Sequence, residues 1–162
     1  MDFAKTSMVM LAGVAVGCTS SGQLVPAGQP IGRAPYVAVQ KQLTKDENRI
    51  YLLAALPGRI VIVENCVLFE RLDGAVVLPV FEYGVVAGRD RYGAWVYDPF
   101  SEEYFRDRTK VFAGGGGSGE TTAELRKRNV LQRAVPERCS SAITDNVVLT
   151  LNPGLNAVDF DE

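Results

Sequence analysis

Three cysteines, one cluster of carboxylates near aromatics and a complete absence of histidine bound the chemistry open to this chain of 162 residues. Without histidine there is no Ser-His-Asp or Cys-His catalysis, no His-ligated zinc and no imidazole acid–base chemistry. The cysteines are Cys18, Cys66 and Cys139. No two form a C-x-x-C pair, so dithiol redox chemistry has no motif to rest on. Asp98, Glu102, Glu103 and Asp107 are the carboxylates that lie among aromatics. A glycan hydrolase needs two such groups about 5–9.5 Å apart across a sugar-sized cleft. An exposed acidic loop accounts for the same residues. No catalytic, cofactor-binding or metal-ligating residue is therefore assigned, no cofactor is expected, and the expectation is that the protein is not an enzyme. The 17 basic and 19 acidic residues leave a net charge of −2. That balance gives no reason to expect nucleic acid. Gly114 to Glu120 (GGGGSGE) lacks the Lys-Ser/Thr of a phosphate loop, and its glycines suit a tight bend or bulge at a barrel corner.

Cys18 has a different chemistry open to it. Residues 1–17 read as an export signal, with Lys5 as the positive end and Ser7 to Val16 as an apolar run of signal length. That run is about half of what a membrane-spanning helix needs. Ala15-Val16-Gly17-Cys18 resembles the bacterial lipobox, with Ala15 in place of the usual Leu. The resemblance implies cleavage before Cys18, a diacylglyceryl thioether on its sulfur and an acyl chain such as palmitate on its new amine. Several acyl chains anchor durably where one is marginal. Thr19 rather than Asp follows, which implies the outer membrane, periplasmic side, in a Gram-negative cell. The alternative is an ordinary secreted protein in which Cys18 is incidental. Residues 18–35 are rich in Ser, Gly, Gln and Pro and read as a flexible tether with a coil span of about 20–25 Å.

Positioning is the task of residues 36–155, and their pattern is β-rich. Gly58 to Phe81 holds the clearest core. Arg59 to Val63, Cys66 to Arg71 and Ala75 to Phe81 read as three strands, with turns at Glu64-Asn65 and Leu72-Asp73-Gly74. An antiparallel meander is the simplest account; one long strand bulged at Asn65 is the second. Tyr36 to Gln40, Ala94 to Tyr97, Lys110 to Ala113 and Asn146 to Leu151 are further strand candidates. Ile50 to Leu56 fits a strand, or a helix capped by Thr44-x-x-Glu47; the β-rich surroundings favour the strand. Tyr83 to Gly93 reads as a polar connection. Ser101 to Lys110 reads as a loop or short helix, or as a partner surface, because Tyr, Trp and Arg favour interfaces. Thr122 to Ala134 is the helix, capped by Thr121 or Thr122 and closed by Pro136, with Arg126-Lys127-Arg128 as its solvated side or, alternatively, a membrane-surface or lipopolysaccharide patch. Residues 156–162 read as an acidic tail. The expected fold is mainly β, a small open antiparallel barrel (OB-like) with one short helix in its C-terminal half.

With Cys18 lipidated, Cys66 and Cys139 remain for an oxidising compartment, and a disulfide between them is the natural closure. The alternative is two buried thiols acting as small hydrophobes. Gly58…Asn65-Cys66, Leu78 to Phe81, Gly114 to Gly117 and Pro136…Cys139 are similar to motifs of small exported bacterial lipoprotein domains of unknown function. The resemblance spans residues 48–150. It implies an open OB-like β-barrel and an envelope location, and it carries no catalytic residue. The function expected is that of a lipid-anchored cell-envelope protein with a non-catalytic binding or structural role. Its expected partners are the membrane, through the anchor, and an envelope protein or glycan. The alternatives are a carboxylate-dependent envelope glycan hydrolase and a small inhibitor of a hydrolase.

Overall fold

A computed structural model describes residues 32–44, 50–117 and 119–158. The signal, Cys18, most of the tether and part of the Thr44–Glu47 capping motif lie outside the described residues. The protein is mainly β. The meander is present as β2 (Ala54–Val63), β3 (Cys66–Arg71) and β4 (Val76–Phe81). Glu64 and Asn65, at φ 52° and 58°, both take left-handed angles. Two such residues match the right-handed twist of a tight hairpin, so β2 and β3 are separate strands and not one bulged strand. Ile50 to Leu53 carry no helix, and Ala54 to Leu56 open β2, as the strand reading requires. The chain continues through Pro57-Gly58 without a break. A Cβ on Gly58 would fall 2.5 Å from the Phe69 ring and from the Glu70 carbonyl, so only glycine lets β3 approach here.

The remaining strands are β1 (Ala38–Val39), β5 (Val86–Asp90), β6 (Gly93–Asp98), β7 (Glu103–Arg106), β8 (Lys110–Gly117), β9 (Val148–Leu151) and β10 (Asn156–Ala157). Pairing runs from β2 to β3 to β4 to β9 to β8 and back to β2, a closed circuit of five strands. The pairing is not antiparallel throughout: β4 is parallel to both β9 and β1. The reason lies in the connections, because long excursions between β4 and β9 free the chain to return in the same direction. Pro79, which cannot donate to a ladder, sits in β4 opposite Leu149. The Gly-rich run is strand, not loop. Gly114 and Gly115 pair with β2 while Gly115 to Gly117 pair with β9. A Cβ on Gly115 would lie 2.3 Å from the Thr150 carbonyl oxygen, so this crossing of three strands has no room for a side chain.

Strands β3 and β4 are buried on both faces, which explains their nearly continuous apolar runs. Along β3, Val67 and Phe69 point to one core with Ile60, Val77, Phe81, Val111 and Leu151. Cys66 and Leu68 point to a second core with Leu78, Val80, Leu125, Val135 and Val148. The second core lies under two helices, where one was expected: α1 (Thr122–Arg128) and α2 (Glu137–Ser141). Thr121 and Glu124 form a reciprocal capping box at the start of α1. The helix ends six residues earlier than the sequence suggests, because Asn129 turns left-handed and Leu131 then bridges to Gln40. Pro136 does not close α1; it opens α2. The paired chain also runs two residues into the expected tail, since Asn156 and Ala157 pair with Phe112 and Val111.

Candidate functional site

The three-stranded sheet β5–β6–β7 is the part of the fold that offers a surface; its middle strand was expected over Ala94 to Tyr97, whereas β5 and β7 fall in stretches read from sequence as connection and loop. Its strands alternate. Val96 and Phe105 are fully buried in the first core, with Ala87 packed against it. Trp95, Tyr97, Tyr104 and Arg106 therefore point the other way. Register places them in rows across the sheet: Val86, Tyr97 and Tyr104 in one, Gly88, Trp95 and Arg106 in the next. The rings form one cluster. Tyr97 and Tyr104 lie 4.7 Å apart between centroids, and Trp95 meets Tyr104 edge-on at 5.3 Å.

Gly88 makes the cluster possible. A Cβ there would lie 2.2, 2.6 and 2.7 Å from Cζ2, Cη2 and Cε2 of Trp95. That near-equal spacing is what a point above the ring plane sees, so the indole lies flat across β5. At the edge of the rings, Arg106 donates two hydrogen bonds to the Asp90 carboxylate, at 3.1 and 2.8 Å. The guanidinium beside Asp90 holds its carboxyl below the usual range, aided by a hydrogen bond from the Tyr92 N–H. The pair raises the Arg106 pKa in turn, chiefly through the same hydrogen bonds. Tyr92, exposed in the β5–β6 turn, carries the Arg91 guanidinium 4.6 Å and the Arg106 guanidinium 5.7 Å from its ring centre.

The sheet is fixed to the five-strand circuit by hydrogen bonds. Arg89 donates to the Asn65 side chain at 3.2 Å. Past the point where β8 stops pairing, the upper edge of β2 is filled by the segment after β7. Ile62 N–H donates to Asp107 at 2.7 Å, and Ile60 exchanges bonds with Arg108 and Thr109.

Three of the four carboxylates singled out from sequence, Asp98, Glu103 and Asp107, are spent on this scaffolding. Asp98 is 1% exposed and accepts hydrogen bonds from the N–H groups of Phe100, Gly154 and Leu155. Glu103, its partner across the ladder, accepts from the Ala157 N–H at 3.3 Å. Glu102 is exposed in the turn at φ 59°. Three surface clefts of about 450, 430 and 680 Å³ are lined by other residues. Among the described residues no cluster of His, Cys, Asp and Glu is arranged to hold a metal ion.

Cys66 and Cys139 are brought together. Both are fully buried, and their Cα atoms stand 5.6 Å apart at disulfide distance, tying α2 to the start of β3. Cys18 lies outside the described residues. Among those residues, no helix is long and apolar enough to cross a membrane. Sequence reasoning offered Ser101 to Lys110 as a partner surface and Ala94 to Tyr97 as a strand, but missed that they share one aromatic face with β5, because Gly84, Gly88 and Gly93 suggest a loop. The signal that could have found it was the alternation in Trp95-x-Tyr97 and Tyr104-x-Arg106. No family model, curated protein or solved structure matches this chain.

Proposed function

We propose that the protein is a lipid-anchored component of a bacterial cell envelope that acts by binding rather than by catalysis. The observation that carries this reading is the aromatic face of the β5–β6–β7 sheet. Three rings and an Arg–Asp pair stand on a rigid support there, and such residue types dominate binding surfaces. Of the acidic residues that a hydrolase would need, Asp98, Glu103 and Asp107 accept hydrogen bonds from backbone N–H groups while Glu102 stands exposed in its turn, which favours binding over the hydrolase alternative. The fold underneath is read as a small OB-like barrel of the kind found in exported bacterial lipoprotein domains. The closed circuit β2–β3–β4–β9–β8, with its single parallel closure between β4 and β9, supports that reading.

Anchoring rests on Ala15-Val16-Gly17-Cys18. In this reading Cys18 carries the acyl chains, the tether holds the domain clear of the lipid, and the outer membrane is the location in a Gram-negative cell. The oxidising side of that membrane suits the buried Cys66–Cys139 pair. Intact mass spectrometry of the protein purified from membranes tests the proposal. The expected mass is that of a chain beginning at Cys18 with acyl groups attached and two hydrogens fewer for the remaining thiols. An unprocessed, acyl-free chain recovered from cytosol would overturn it.

A further inference from the structure

The aromatic face offers more than exposed apolar area, and its chemistry narrows the partner. The Trp95 indole, half-buried, is seated flat on Gly88, so its opposite face is turned away from the strand. Tyr104, 43% exposed, stands nearly perpendicular to the indole, at 79°, and Tyr97 tilts 37° from Tyr104, so the rings offer differently angled stacking faces across two strands. At their edge the bidentate Asp90–Arg106 pair, itself neutral, presents carboxylate acceptors and guanidinium donors together, and Arg91 on the Tyr92 ring adds a single cation. A polyanionic strand needs a run of uncompensated cations along its path. A sugar chain has different needs. The C–H faces of its rings stack on flat aromatics, whose faces are electron-rich, and its hydroxyls both donate and accept.

From this match, and resting on the binding role above, we infer that the β5–β6–β7 face binds an uncharged segment of a glycan chain. One sugar ring stacks on the Trp95 indole and another meets the angled Tyr104 ring, and their hydroxyls bond to Asp90 and Arg106.

The chain contains a single tryptophan. Its intrinsic fluorescence is therefore a direct signal from this surface. The full chain, in detergent, is titrated separately with chitohexaose, cellohexaose and a single-stranded oligothymidine. A saturable change in Trp95 emission with at least one hexasaccharide is expected, unaffected by moderate salt. Tyr104→Ala should weaken that binding about tenfold, the scale of one lost aromatic stacking contact. Arg106→Lys, which leaves every ring in place, should weaken it several-fold through the lost bidentate pair. Leu72→Ala, at an exposed turn outside this sheet, should leave it unchanged. Matching circular dichroism spectra show that the variants fold. Silence towards both hexasaccharides at millimolar concentration overturns the inference. So does a response to the oligonucleotide alone, or saccharide binding that Tyr104→Ala and Arg106→Lys leave intact. The mass measurement on Cys18 is independent, so failure here leaves the anchoring reading standing.

Discussion

The Asp98 carboxylate accepts a hydrogen bond from the Leu155 N–H at 2.8 Å, although 57 positions separate them in the chain. The same carboxylate holds Gly154 and caps the turn at Phe100. One side chain thus locks the C-terminal segment against the end of β6, and Leu155 delivers its side chain into the first core. Asp98→Ala strands three backbone donors. The expected loss is about 3 kcal/mol, the scale of an unsatisfied buried group added to lost charge-assisted bonds. The urea midpoint reads it, together with a melting temperature lower by about 10 °C. Asp98→Asn keeps one acceptor oxygen and should lose less. An unchanged midpoint for Asp98→Ala would show that the amides find water instead.

Cys66 and Cys139 close a loop spanning 73 positions. Constraining an unfolded loop of this length is worth about 4 kcal/mol in the chain-entropy treatment. Reduction with dithiothreitol, or Cys139→Ser, should therefore lower the urea midpoint by roughly 2 M at a typical slope. Equal midpoints with and without reductant would mean that the thiols are unbonded.

Gly88→Ala is a test of how the aromatic face is built. The new methyl group meets the Trp95 ring inside contact distance, so the indole must lift from β5. A red-shifted Trp95 emission with a stability loss of about 1–3 kcal/mol is the expected outcome of such overpacking. Emission identical to wild type would show that β5 yields instead of the ring.

Tyr36 sets a pH dependence. Burial pushes its phenol up from 10.0 to about 12, against the opposing pull of Arg133 and Arg126. The folded state therefore favours the neutral phenol. Its contribution is intact below pH 10, the ordinary value, and is lost as the pH rises towards 12. Urea midpoints measured across this window should fall with pH, and Tyr36→Phe should flatten that fall. At neutral pH the same variant should lose about 1 kcal/mol with the bond from the Tyr36 hydroxyl to the Arg133 carbonyl. Identical alkaline slopes for the two proteins would place the titration elsewhere.

Much of the circuit was legible because its signals are local. The β2–β3 turn follows from Glu64-Asn65, the β3–β4 turn from Asp73-Gly74, and the cap of α1 from Thr121-x-x-Glu124. Each depends on a backbone preference or a hydrogen bond within four residues. Of the β5–β6–β7 sheet only β6 was legible, at Ala94 to Tyr97; β5 was not, because glycine has two meanings in a sequence. Gly88 permits a turn as readily as it permits a ring to lie on a strand. Only the position of Trp95 across the ladder distinguishes the two.

By itself, the amino-acid sequence determined the absence of imidazole chemistry, the β-rich pattern and the hairpin turns. These follow from residue types and nearest neighbours. Tertiary structure alone decided that β4 runs parallel to β9, that α1 gives way to a second helix, and that Asp98 clamps the chain end. It also decided that Trp95, Tyr97, Tyr104 and Arg106 share one face. Those outcomes depend on which distant segments can approach one another as the two cores close. Spacing along the chain carries no record of that competition.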